Sequence, residues 1–299
     1  MATAFQATYN GLTFGSGAAG FPSITKLVGV NDMPPVRSAD ESRAGDHGMF
    51  QGIDYLNGRT VDLEIFVAGS SQPNYDGLCD QLEGAFAVQL VELPLTYSLG
   101  DTTMSRVINA RPRKVQIPRE IKRWGMTGLA AVELFASDPR KYAAAVTTLN
   151  TGLAAVSGGM TFNATFPLSF GTVGSGGTVT ATNLGNFQTP LQFTITGPVV
   201  NPIITNLTTG TALVFVITLA STDTLVISQA GTSATAIVLN GTASRRNTLQ
   251  TGSAPLSQFG LPGGLSGPCT PGVSNQFRYS NNGAFTGSTL SIAYQSAWI

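Results

Sequence analysis

The stretch Ala136-Ser-Asp-Pro-Arg-Lys-Tyr-Ala-Ala-Ala145 divides the chain into two chemically different parts. Up to Tyr142 lie 13 of the 16 Lys and Arg residues and 15 of the 16 Asp and Glu residues. Beyond it the only charged side chains are Asp223, Arg245, Arg246 and Arg278. Pro139 cannot donate to a β-ladder and biases Asp138 away from helix, so an extended strand should end or bend here. Arg140 and Lys141 are the last charges of the first part, and Tyr142 is placed to pin the exit of the chain. We therefore read a domain seam, with a charged domain over residues 1–145, a connecting arm over 146–176 and a neutral domain over 177–299.

At 299 residues the chain is long enough for two domains that each bury a core. The formal net charge is zero, so no global field attracts nucleic acid or an anionic membrane. No apolar run approaches the roughly 20 residues that span a bilayer, and MATAFQATYNG has neither the basic start nor the apolar segment of a signal peptide. Cys79 and Cys269 stand far apart with no Cys-x-x-Cys pattern, which is not a disulfide framework. The sequons at Asn163, Asn206 and Asn240 matter only after eukaryotic secretion.

The first part mixes strands with one helix. In GRTVDLEIFVAG (58–69), Val61, Leu63, Ile65 and Val67 share one face, and Asp62 and Glu64 the other. PNYDGLCDQLEGAFAVQ (73–89) predicts a helix with Asn74 as N-cap, Asp76 in the first turn, and an apolar stripe of Leu78, Leu82, Ala85 and Phe86. The second part is strand after strand. TPLQFTITG puts Leu191, Phe193 and Ile195 inward and Gln192, Thr194 and Thr196 outward. TALVFVITLAS (211–221) is apolar in both phases and should be covered on both faces. Asn240-Gly241 signals a type I′ hairpin. The fold class is mainly β: a β-structure with one helix, followed by an antiparallel sandwich whose outer face is solvated by Ser and Thr hydroxyls.

Catalytic chemistry finds little support. His47 is the sole histidine; Asp46 beside it cannot orient it as a triad requires, and no Cys or carboxylate stands at metal-ligand spacing. Asp62 and Glu64 lie about 7 Å apart by strand geometry, a glycosidase-like separation. Without an aromatic platform they read as the outer face of a strand. GSGAAG (15–20) and GSGG (174–177) lack the Gly-Lys-Ser/Thr of a phosphate loop. We read no catalytic residue, no cofactor and no metal site. Arg106, Arg111, Arg113, Lys114, Arg119, Lys122 and Arg123, with Trp124, form a basic segment that could touch nucleic acid. Its plainer reading is a charged hairpin that blunts a sheet edge or pairs with a neighbouring subunit.

The order of several motifs resembles the distal tail proteins (Dit) of long, non-contractile-tailed bacteriophages, also called minor tail proteins. These motifs are MPPVR (33–37), DHG (46–48), NGRTVDLEIFVAG (57–69), LPL (93–95) and ASDPRKY (136–142). They continue through TNLGNFQTPLQFTITGPVVNPIITNLTTG (182–210), LPGG (261–264) and the terminal SIAYQSAWI. GSGAAGFPS (15–23) and GLSGPCTPGVS (264–274) have no counterpart in that pattern.

The resemblance implies an N-terminal belt domain with an extended arm that joins copies into a hexameric ring, and an outward galectin-like sandwich. It implies a virion protein at the tail tip, assembled in the host bacterial cytoplasm and without catalytic activity. Its partners would be other copies of itself, the tail tube protein, the tail-tip hub of the baseplate and the tape-measure protein. Phage DNA would pass through the lumen as cargo, and no part would enter a membrane. Two other readings are a carbohydrate-binding adhesin, using Phe259, Tyr279, Phe285 or Trp298 as a sugar platform, and the tube subunit itself.

Overall fold

A computed structural model describes residues 5–15, 22–98, 105–117, 126–154, 177–229, 236–256, 259–263, 273–282 and 287–299. The chain forms two compact units, Met1–Ala144 with Ile299, and Ala145–Trp298.

The strands of the first unit are β1 (Gln6–Tyr9), β2 (Leu12–Gly15), β3 (Ser23–Val28), β4 (Val36–Arg37), β5 (Glu41–Ser42), β6 (Met49–Phe50), β7 (Tyr55–Leu56), β8 (Arg59–Ala68), β9 (Leu93–Ser98), β10 (Arg106–Gln116), β11 (Thr127–Ala136) and β12 (Lys141–Ala143). Helix α1 (Gln72–Ala85) follows β8. Seven strands form one antiparallel sheet in the order β2-β1-β9-β10-β11-β8-β3, and β12 pairs with β10. The sheet curls until the Gly15 N–H reaches the Pro22 carbonyl at 3.2 Å, which brings its two edges together.

The alternation in β8 sets the register. Val61, Leu63, Ile65 and Val67 are buried, and they lie opposite Leu134, Val132, Ala130 and Gly128 of β11. A one-residue slip would send this whole row to solvent, so the pairing is strongly specified. Tyr75, Leu78, Cys79, Leu82 and Ala85 of α1 join the same core. The first helical turn comes this close to β11 only because Gly128 has no side chain, since a Cβ there would collide with the Tyr75 hydroxyl.

The helix begins differently from the sequence expectation. Ser71 is the N-cap and accepts from the Asn74 N–H, Pro73 occupies the first turn, and Asp76 lies beyond it. Asn74 instead accepts from the Ser70 N–H. A proline pre-set for helical φ directly after a serine cap outcompetes a cap three residues later. At the other end, Asn10 and Gly11 form the left-handed turn of the β1–β2 hairpin (φ 47° and 79°). The Asn10 side chain donates to the Ala85 carbonyl, an otherwise unmatched acceptor at the helix C-terminus. Phe86 then stacks on Tyr9 and Phe14, with centroids 5.2 and 5.7 Å away.

The second unit contains β13 (Thr147–Gly152), β14 (Thr178–Asn183), β15 (Gln192–Thr196), β16 (Val199–Val200), β17 (Pro202–Asn206), β18 (Thr211–Val214), β19 (Thr218–Leu219), β20 (Thr224–Ser228), β21 (Ala236–Leu239), β22 (Ala243–Ser244), β23 (Val273–Asn281), β24 (Thr289–Tyr294) and β25 (Ala297–Trp298). One sheet runs β13-β24-β15-β20-β21-β22 and another β14-β23-β17-β18, all pairs antiparallel; β16 and β19 form a short ribbon. Phe193, Ile195, Leu225, Ile227, Leu290 and Ile292 from the first sheet share a core with Ala181, Ile204, Leu213, Phe277 and Tyr279 from the second. Phe193, Phe259 and Phe277 form its aromatic centre, with centroids 5.7 to 5.9 Å apart. The Asn240-Gly241 turn has the expected positive φ angles, 51° and 73°.

Two expectations change in this unit. Residues 147–152, the start of the expected connecting arm, form an edge strand paired along its length with β24. Residues 155–176, most of that arm, lie outside the described residues. TALVFVITLAS is not covered on both faces. It breaks after Val214, Leu213 and Phe215 turn into the core, and Val216 faces solvent while its N–H bonds to the Thr248 carbonyl.

Candidate assembly surfaces

The end of the first unit is organised around Arg59, a charged residue with no exposure to speak of, at 1%. Its Nη1 donates to the carbonyls of Gly29 (2.5 Å), Val30 (3.2 Å) and Asp32 (2.7 Å), and its Nε to that of Pro139 (2.9 Å). One planar guanidinium thus ties the β3 exit to the chain after β11. Burial lowers its pKa, countered by Tyr97 and Asp32. Lys141 is buried in the same region. Desolvation, reinforced by the positive charges of Arg59 and Arg106 and opposed by Asp32, pulls its ammonium down to about 8.

The Asp-Pro-Arg-Lys-Tyr run closes on itself. The buried Asp138 carboxylate accepts from the Arg140 backbone N–H (3.1 Å), the Arg140 guanidinium (3.2 Å) and the Tyr142 hydroxyl (2.6 Å). Burial first, then the Asp138 charge, pushes the Tyr142 phenol well above its ordinary range. β11 ends at Ala136, as the proline requires, and Tyr142 is buried where the sequence placed a pin. This cluster is saturated by its own members and shapes a joint.

Between β3 and β8 the chain leaves the curled sheet as a narrow ribbon. Val36 and Arg37 pair with Leu56 and Tyr55, and Glu41 and Ser42 with Phe50 and Met49. Arg37 lies over the Tyr55 ring at 5.6 Å and Arg43 over Phe50 at 5.1 Å. The Gly52 N–H donates to Asp40 and the Asn57 N–H to the Pro35 carbonyl. No core backs this ribbon: Met33, Val36, Met49, Phe50, Ile53 and Tyr55 are all exposed, Met33 to 73%. A second apolar surface follows the helix, where Val88 and Leu90 are 93% and 95% exposed beside Val91.

The outer face of β3, β8, β11 and β10 forms an open concavity of about 360 Å³. Lys26 stands opposite Glu64, Asp62 opposite Glu133, and Glu133 opposite Lys114. Asp62 and Glu64 therefore sit in rows of alternating charge, not as an isolated carboxylate pair. Of the basic segment, Arg119, Lys122, Arg123 and Trp124 lie outside the described residues. Arg106 has a pKa lowered by burial, Arg111 is half-buried, and Arg113 stacks on Phe135 at 5.1 Å. The described cations do not form one exposed stripe. His47 is exposed at the ribbon tip, where its backbone N–H bonds to Asp46. No group of metal-ligating side chains occurs among the described residues, and none of their helices is long and apolar enough to cross a membrane. Of the aromatics considered for sugar stacking, Phe259 and Tyr279 are fully buried, and Phe285 lies outside the described residues.

The ribbon escaped the sequence reading because its strands are two residues long and exposed on both faces, so no alternation marks them. The available signal was a different one: a stretch with six large apolar residues and no periodicity.

Two compact β units, the first with one helix and a projecting ribbon, are an architecture found in phage tail and baseplate proteins. No family model matches the chain, and no curated protein matches it. Among solved structures it is similar to the Dit (gp 19.1) protein of phage SPP1, described as a paradigm of the hub adsorption apparatus in phages infecting Gram-positive hosts. That likeness covers 99% of both chains at 12% identity, with a TM-score of 0.65. It is also similar to a chain of the phage P2 baseplate in its activated conformation with calcium (11% identity, 98% of both chains, TM-score 0.50). The strontium form of that baseplate gives 10% identity over 97% of both chains, at the same TM-score. The chain thus has the fold of a Dit protein from end to end, as the ordered motifs implied.

Proposed function

We propose that the protein is a structural component of a phage tail tip that forms a ring, most simply a hexamer, joining the tail tube to the hub of the baseplate. The observation that carries this reading is the likeness to SPP1 Dit, which runs through both units without a missing or added domain. The exposed ribbon supports it, because a ribbon without a core behind it needs another surface to rest on. Its role is that of an adaptor without catalysis: the charged first unit makes the contacts between copies, and the second unit is an outward, galectin-like sandwich. The tape-measure protein and DNA would occupy the lumen, and the ring would assemble in the host cytoplasm before release in the virion. Native mass spectrometry and negative-stain electron microscopy test this. Closed rings should form from the purified chain, alone or on addition of its hub protein. A chain that stays monomeric and ignores both tube and hub proteins refutes the reading.

A further inference from the structure

We propose that the ribbon of one copy packs Met49, Phe50 and Ile53 onto the Val88–Leu90–Val91 turn of a second copy. This inference rests on the assembly role above and assigns the surfaces that carry it.

Both surfaces belong to the same compact unit, yet both stay exposed there. The ribbon therefore does not cover its own turn, and one contact between copies hides both surfaces at once. Reach is sufficient: the ten residues from Val36 to the tip at Gly45 extend roughly 30 Å at strand rise. Area is sufficient too. At their observed exposures the six ribbon residues offer roughly 600 Å² and the three turn residues roughly 400 Å², close to the apolar share of a standard interface.

Each partner is already rigid, which keeps the entropic cost of docking low. The turn is held between Phe86, stacked on Tyr9 and Phe14, and the start of β9 at Leu93. The ribbon is held by its two guanidinium–ring contacts and by the Gly52–Asp40 bond. The unit's charges nearly balance, so apolar burial and not a long-range field must supply the attraction. The two patches differ from each other, which makes the contact heterologous. Copies joined this way form a closed ring or an open chain, never a two-fold dimer.

The heterologous geometry makes a sharp test. The full chain would be prepared as wild type, as a ribbon variant (Met49→Ser with Ile53→Ser) and as a turn variant (Val88→Ser with Leu90→Ser), and the masses followed by native mass spectrometry and sedimentation velocity. All four positions are exposed, and near-ultraviolet circular dichroism would verify the fold of each variant. Each variant alone should lose self-association by at least tenfold. An equimolar mixture should recover a dimer with one chain of each kind and stop there, because only one competent ribbon–turn pair remains. A photoreactive residue at position 53 should cross-link to the peptide holding residues 87–91 of another copy. A turn variant that assembles like wild type, or a cross-link elsewhere, overturns this contact and leaves the ring reading standing. A wild-type chain that is monomeric at all concentrations overturns the contact, and its binding to the hub protein then decides the adaptor role separately.

Discussion

The Tyr142 hydroxyl donates to Oδ2 of Asp138 at 2.6 Å, across a chain reversal of four residues. The carboxylate also receives the Arg140 backbone and guanidinium, so the last charges of the first unit are matched locally. Tyr142→Phe removes one bond to a buried charged acceptor and should cost the first unit about 1–2 kcal/mol. Urea unfolding followed through a first-unit probe measures it; an unchanged midpoint would mean that Arg140 alone satisfies Asp138.

Arg59→Met should be the most damaging substitution in the first unit. It strands four carbonyls that the guanidinium now serves, an expected loss of roughly 3–5 kcal/mol. Arg59→Lys keeps the charge but not the planar fork and should recover less than half. Full recovery by lysine would show that charge, not geometry, is what the site needs.

Lys141 gives the first unit a pH dependence of unusual sign. Its ammonium is held near 8 when folded and 10.5 when unfolded, so between these values the unfolded chain binds more protons. Stability should rise as pH climbs from 8 toward 10.5, and the cost of burying the charge is fully present below 8. Lys141→Met should flatten that slope and stabilise the unit at pH 7 by about 2 kcal/mol, discounted from the full shift. Thermal midpoints between pH 7 and 10 would reveal it, and parallel curves for the two chains would refute it.

In the second unit, both polar atoms of the Asn275 amide are buried without a hydrogen-bond partner. Asn275→Leu has nearly the same volume and should raise stability by about 1–2 kcal/mol. A fall in the guanidinium midpoint would count against an unmatched amide.

What the sequence disclosed, and what it hid, follow from where periodicity exists. The faces of β8 and β15 were legible because each has one face in a core, and burial imposes a period of two. The seam was legible because charge density changes there. Arg59 was not, since it occupies the inward phase of β8, where alternation predicts an apolar residue, and its four acceptors come from distant loops. The true cap at Ser71 was hidden behind an equally good candidate three residues on. The exposed turn at Val88–Val91 looked like the tail of the helix, because composition alone does not tell an uncovered apolar residue from a core one. Both candidate assembly surfaces were therefore missed for the same reason: their partners are not encoded in local order.

The near-absence of charge after Tyr142 divides the molecule's response to its medium. Counterions act only on charged groups, and mobile ions screen exposed charges beyond roughly 10 Å at 0.1 M ionic strength. Moving from dilute medium to brine should shift the unfolding and self-contacts of the first unit. The second unit, with Asp223 and three arginines spread over its length, should be nearly blind to that change. One chain thus pairs a half tuned by its ionic surroundings with a half indifferent to them.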